Sequence, residues 1–365
     1  MSQRLLKLLN LFCVLLTCAG AHAQGGPDAF GAATYPNLRL RGFADINYAE
    51  RSNDKTDSSN FSQGQLTLHL TSPISDHFTF FSEITMTASG AAATDSHEDT
   101  YDLEVQRGVI KYTHSDLLNL SAGRYHTPIN YWNKTYHHGL WLQTPVTRPE
   151  MIRFGGGFIP DHFEGALAEG SHGSTLGRFG YTLGVGNGRS EVITRAGDRV
   201  DVNENRAWVA GVSASPRVPG DLEFGISTYV DKIEQEEGAP VDEAIYDAYL
   251  VWQIMAIEFF AEFAEVQHEP TDAMMADTDS DAYTVMLAYT LPAYEGILTP
   301  YVRFDDLSIH NEDTVFAGLR DVEGYSVGIR VDAADLLALK FEYRDLKDER
   351  DGDVTLYQAQ VAFTF

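Results

Sequence analysis

The chain has 365 residues, with 26 basic against 53 acidic side chains and a formal charge of −27. A field of that sign repels a phosphate backbone, which excludes nucleic acid as a partner. The only cysteines, Cys13 and Cys18, sit near the N-terminus in what reads as a removable leader. Disulfide, zinc–thiolate and cysteine-nucleophile chemistry is thereby excluded for the rest of the chain.

Arg4 and Lys7 flank the start of an apolar run, Leu8 to Leu16, and Ala21-His22-Ala23 follows. A basic start, a short apolar stretch and an A-x-A site predict a secretory signal peptide over 1–23, exported through the Sec pathway, and one domain over 24–365. The run is too short to anchor as a spanning helix, which needs about 20 apolar residues. A rival reading lipidates Cys18, but Thr17 fits poorly just before a lipobox cysteine. Without Arg4 and Lys7 the balance is 24 basic to 53 acidic, a charge of −29.

Beyond the leader, apolar and polar residues alternate in short runs. Leu66, Leu68 and Leu70 alternate with Gln65, Thr67 and His69; Tyr283, Val285, Leu287 and Tyr289 with Thr284, Met286 and Ala288; Leu337, Leu339, Phe341 and Tyr343 with Ala338, Lys340, Glu342 and Arg344. Period-two alternation gives each sheet face its own set of side chains. Turn punctuation places strand centres near 43, 67, 83, 107, 121, 166, 181, 209, 226, 249, 261, 286, 303, 327, 341 and 360. Short turns at 72–76, 114–116, 215–220, 292–296 and 332–335 separate long acidic or glycine-rich loops at 50–60, 89–99, 127–160, 187–204, 231–243, 268–280 and 309–322. Short turns on one rim, long loops on the other and an even strand count predict an all-β fold, a transmembrane antiparallel β-barrel of about sixteen strands. Tyr48, Tyr112, Tyr229, Tyr289, Tyr301 and Tyr343 suit interfacial girdles.

Residues 248–266 read two ways. Glu258, Glu262 and Glu265 stand at helical spacing. A tight hairpin near Met255 is preferred because it preserves the strand spacing, although no glycine, proline or asparagine marks its turn.

The chain ends in Val361-Ala362-Phe363-Thr364-Phe365. This resembles the terminal strand of bacterial outer-membrane porins, whose C-terminal phenylalanine is read by the barrel-assembly machinery. Ala122-Gly123-Arg124-Tyr125-His126-Thr127-Pro128 is similar to the strand-to-loop sequence of the phosphate-selective porin group, though lysine-rich selectivity features do not accompany it. The resemblance implies a Gram-negative outer-membrane location, contact with lipid and lipopolysaccharide, and a homotrimer. It also implies a long third loop folded into the lumen. The composition of 127–160 agrees: Tyr131, Trp132, Tyr136 and Trp141 suit packing against a wall better than free solvation.

Charged positions amid apolar alternation are expected to face water, since a cationic side chain on the lipid face costs about 2–4 kcal/mol at midplane. The candidate pore-lining and constriction residues are Arg39, Arg41, Asp45, Glu83, Arg124, His126, His137, His138, Arg148, Glu150, Arg153, Glu164, Glu258, Glu262, Arg303, Arg330, Lys340 and Arg344, with Asp305 and Glu342 beside them. For any one of them, a paired structural role competes with a selective one. His137 and His138, with His126 and His162 nearby, invite a metal reading because imidazole binds zinc, copper or nickel. Adjacent histidines on extended chain point opposite ways and no acid stands at a ligand-like spacing, so no metal or other cofactor is assigned. A titrating gate is a second use of the same residues. Asp277, Asp279 and Asp281 offer a weak calcium site.

The function expected is passive diffusion of small hydrophilic solutes or ions through a water-filled barrel narrowed by 127–160, with a mild cation preference from the net charge. An adhesion barrel with a blocked lumen is the alternative. A barrel-embedded enzyme has no nucleophile motif to support it, so the chain is read as no enzyme.

Overall fold

Alternating residues make strands because each sheet face then has one chemistry, and sixteen such strands close on themselves here. The computed structural model describes residues 35–53, 55, 57–88, 101–190, 193, 204–235 and 238–365. The leader 1–23 and most of the predicted loops 89–99 and 187–204 lie outside the described residues. The strands are β1 (Arg39–Ser52), β2 (Asp57–Pro73), β3 (Phe78–Ala88), β4 (Tyr101–Ser115) and β5 (Leu118–His126). After the long connection come β6 (His162–Gly173), β7 (Gly177–Gly186), β8 (Ala207–Pro216), β9 (Asp221–Ile233), β10 (Val241–Ile254) and β11 (Ile257–Pro270). The last are β12 (Thr278–Tyr289), β13 (Leu298–Ser308), β14 (Val322–Ala334), β15 (Leu337–Asp348) and β16 (Gly352–Thr364). Each pairs antiparallel with its sequence neighbours, and β1 pairs with β16 to close the barrel.

All sixteen predicted centres fall inside these strands. The doubtful segment is a hairpin: Ile254 pairs with Ile257, and Met255 turns the chain with φ 52. The left-handed conformation is carried by a residue that does not advertise it, which is why the turn left no glycine in the sequence. Several expected loops are shorter than predicted. Strand pairing continues through Ser52↔Asp57, so 50–60 is mostly strand, and 231–243 and 268–280 shrink to 234–240 and 271–277.

The outer face is apolar. Val285, Leu287, Val302, Phe341, Leu183 and Trp208 are all exposed along it, as lipid-facing positions require. Among the described residues no helix is long and apolar enough to cross a membrane. Tyr289 is exposed on this face, but Tyr229 and Tyr301 are buried with their hydroxyls donating to Asp231 and Glu342. They belong to the interior, not to a girdle. Closure relies on Gly42. Its amide and carbonyl bond those of Phe365 at 2.9 and 3.0 Å, and a Cβ there would meet the Phe365 ring at 2.4 Å.

Candidate functional site

The connection between β5 and β6 contains one short helix, α1 (Tyr131–Tyr136). Asn130 starts it, its side chain accepting from the Asn133 amide at 2.9 Å, which satisfies one orphan donor of the first turn. Glu262 of β11 takes two more: it accepts from the Tyr131 amide and, at 3.3 Å, from the Trp132 amide. Trp132 is fully buried against Phe260, with ring centroids 5.3 Å apart. The helix therefore lies against the inner wall, fixed by one carboxylate and one aromatic.

The segment that follows is bonded further along the same wall, from β11 to β13–β15. Thr144 donates to Glu258 at 2.8 Å. Glu342 accepts from the Val146 amide (3.1 Å), the Thr147 amide (3.3 Å) and the Thr147 hydroxyl (2.5 Å). Lys340 donates to the carbonyls of Leu140, Gln143 and Pro145, the last two at 2.7 and 3.1 Å. Arg303 donates to the carbonyls of Thr147 (2.6 Å) and Arg148 (3.2 Å), and to Asp305 (2.8 Å). Arg330 reaches the carbonyls of Trp141 and Gln143, and Arg344 bridges Glu150 and Asp305 at 3.0 and 3.3 Å. A turn-rich loop carries many unpaired carbonyls, and buried ones need donors. The strand cations supply them.

These contacts revise how several predicted pore-lining residues are read. Arg303, Lys340, Arg344, Glu150 and Glu262 do meet on the lumen side, but all are buried. Their polar atoms face loop backbone and each other, so they anchor the loop and do not border water. Arg153 is 38% exposed and lies 3.8 Å from Glu150. Asp45 is buried on β1, accepting from Asn47 (2.6 Å) and the Gln65 amide (2.9 Å). Arg39 and Arg41 share its inward row but sit exposed at the turn-side rim, away from the loop.

Arg124 and Glu164 are a correction. They pair across β5–β6 in the same row as Ala122↔Ala166 and Leu120↔Ala168, which continues across β7 as exposed Leu183. That row is the outer face. The expectation that a strand charge must face the lumen fails because the two neutralise each other at 2.7 Å.

The histidines converge. His126 stacks on His137 at 3.9 Å between centroids, His138 and His162 lie within 6 Å of it, and all four are buried. Glu83 of β3 joins them, bound to Arg107 and with Oε2 3.7 Å from His126 Nε2. The premise that His137 and His138 point apart does not hold, because the chain is helical at His137 (φ −50, ψ −51). Burial in apolar surroundings pulls His137 well below its ordinary range and His138 down to about 3, against the pull of Glu83. Burial thus favours the neutral form of both imidazoles. Arg148, stacked 3.8 Å over Phe154, is lowered by burial to about 10 and remains charged.

Open space lies on the other half of the wall. A cavity of about 300 Å³ is lined by Lys111, Asn119, Lys134, Glu169, Thr182 and Ser227, and one of about 660 Å³ by Tyr131, Arg178, Ser215, Glu223 and Gln253. Apart from Tyr131 and Lys134 of the loop, none of these was singled out from sequence, although Lys111, Glu169 and Glu223 obey the same alternation used for the others. Above the loop, Phe158 packs on Phe316 (5.5 Å), and buried Arg189 holds Glu243 and the carbonyls of Gly157 and Phe158. Asp277, Asp279 and Asp281 form no three-ligand group among the described residues; Asp279 and Asp281 extend along one face of β12.

No family model and no curated protein matches this sequence. Solved structures do. The anion-selective porin of Comamonas acidovorans matches with a TM-score of 0.63 at 12% identity, covering 90% of this chain and 100% of that one. The outer-membrane channel DcaP of Acinetobacter baumannii matches at 0.62 and 11%, covering 92% and 99%. OmpT, an outer-membrane protein of Vibrio cholerae in its trimer form, matches at 0.56 and 10%, covering 91% and 100%. Likeness at such identities speaks for architecture and carries no solute preference. The chain has the sixteen-stranded barrel fold of the outer-membrane porins.

Proposed function

We propose that this protein is a passive outer-membrane channel for small hydrophilic solutes or ions, narrowed by the loop 127–160. One observation carries the reading. The loop is bonded by its main chain to β11 and β13–β15, while the charged and hydroxylic inner faces of β4–β10 border cavities of about 300 and 660 Å³. A loop held to one side leaves a crescent-shaped passage on the other. Its rim charges, Lys111, Lys134 and Arg178 against Glu169 and Glu223, set the local field. The net charge of the chain favours cations over anions.

The same reading makes the chain a homotrimer inserted by the barrel-assembly machinery among lipid and lipopolysaccharide, and not an enzyme. A blocked adhesion barrel is the second reading, favoured by the apolar cluster of Phe158 and Phe316 inside the barrel. Planar-bilayer recording of the purified barrel decides. Steady ohmic steps with a cation-directed reversal potential in a salt gradient support the channel. A silent, correctly folded barrel overturns it.

A further inference from the structure

Five buried side chains come together where the loop leaves the wall: Glu83 from β3, His126 at the end of β5, His137 and His138 after α1, and His162 at the start of β6. Aromatic packing alone would explain four imidazoles in contact. It does not explain why Glu83 Oε1, His126 Nε2 and His138 Nε2, all buried, have no hydrogen-bond partner. Leaving such atoms unsatisfied is costly, because their desolvation is not repaid.

The three side chains converge. The ligand atoms of Glu83, His126 and His138 all lie within 4.8 Å of one another, and so do those of His126, His137 and His162. The His126 Nε2 to Glu83 Oε2 separation of 3.7 Å is too long for a hydrogen bond. It is close to a polyhedron edge: bonds of about 2.0–2.1 Å at tetrahedral angles put ligand atoms roughly 3.3 Å apart. The neighbours also fix the tautomers. His138 Nδ1 lies 2.9 Å from Gln65 Oε1, an acceptor, so Nδ1 carries the proton and Nε2 presents its lone pair inward. Asn133 donates its amide to the carbonyls of Thr127 and Asp161, so its oxygen must accept from His137 Nδ1. That leaves His137 Nε2 basic too, and makes the 3.2 Å approach of Arg148 to Nδ1 a contact without a proton to share. An outer-sphere acceptor on the distal nitrogen is the usual arrangement around a ligating histidine.

We propose that Glu83, His126 and His138 form a binding site for a divalent transition metal of the zinc, nickel or copper class, with His137 and His162 within reach of the same ion. One carboxylate with imidazoles selects that class over calcium or magnesium, which favour oxygen. Arg107 and Arg148 oppose a dication; Glu83 offsets one of them, and Arg107 occupies Oε2 while Oε1, 3.6 Å from His69 Nε2, carries no hydrogen bond. The ion would tie β3, β5 and the loop together at the one end of the loop that the strand cations of β13–β15 do not reach. This goes beyond the channel reading and stands or falls apart from it.

The test uses tag-free, detergent-solubilised full-length barrel, stripped with chelator, dialysed against Zn²⁺ and analysed for retained metal. About one zinc per chain is expected. Retention should vanish in His126→Ala and in His138→Ala, and Gln65→Leu, which touches no metal, should weaken affinity 10–100-fold. His77→Ala and His172→Ala, both at exposed histidines, should retain zinc as the parent does. Heat-modifiable gel migration verifies that each variant is folded. Absence of zinc from the folded parent overturns the proposal, as does equal retention by the folded His126→Ala and His138→Ala barrels.

Discussion

The inner wall has two unlike halves. On β11 and β13–β15, carboxylates, arginines and a lysine are buried against the loop's main chain. On β4–β10, similar side chains border open cavities. A charge on the inner face of a strand is thus not necessarily a charge in the water path. A guanidinium divided between two carbonyls and a carboxylate contributes anchoring. The field met by a solute comes from groups with a solvent-facing side.

That contrast can be broken at its strongest point. Arg303→Met takes the donor from the Thr147 and Arg148 carbonyls and leaves Asp305 with Arg344 and Thr284 alone, and removing one partner of a buried pair costs about 3–5 kcal/mol. Single-channel conductance should rise and become noisier as the loop loosens; unchanged conductance would separate the loop from the passage. Glu342→Gln keeps the shape but weakens charge-assisted bonds, with a cost of about 1.5–3 kcal/mol read as easier proteolysis within 127–160. Glu223→Lys or Glu169→Lys should move the reversal potential towards anions, and by more than Arg330→Gln moves it towards cations.

Acid provides a milder perturbation. His138 is pulled down to about 3 by burial, so between about 6.5 and 3 the unfolded chain binds the proton that the folded loop refuses. Stability should be level above about pH 6.5 and fall as pH drops through that window. Thermal unfolding at about pH 8 and about pH 5 checks the direction, and Zn²⁺-free samples keep metal out of the comparison. The smallest effect is at Arg124→Gln. It pairs with Glu164 in the row of Ala122 and Leu120, away from the two cavities, and its loss should leave the reversal potential unchanged.

The strands were legible because period-two alternation survives wherever one face meets lipid, from Leu66-Leu68-Leu70 to the terminal Phe363 and Phe365. Even the unmarked turn at Met255 was recoverable from spacing. Alternation tells which face a residue takes, not what covers it, so Lys340 and Arg303 read as lining water when they are roofed by the loop. The Arg124–Glu164 pair misled because every strand charge, paired or not, was expected to face the lumen. Glu83 could not be joined to His126 and His138 in advance, since only the closure of β3 onto β4 and β5 brings it there. The one local clue was the crowding of four histidines between residues 126 and 162.

On this account the passage runs along β4–β10. The mature region holds no cysteine, since Cys13 and Cys18 both fall within the predicted leader, so single thiols can be placed cleanly. Thr182→Cys and Ser215→Cys should react with a charged, water-soluble thiol reagent and lower the current, while Thr284→Cys, buried on β12, should do neither. Rapid block at Thr284→Cys with none at Thr182→Cys or Ser215→Cys would contradict the account.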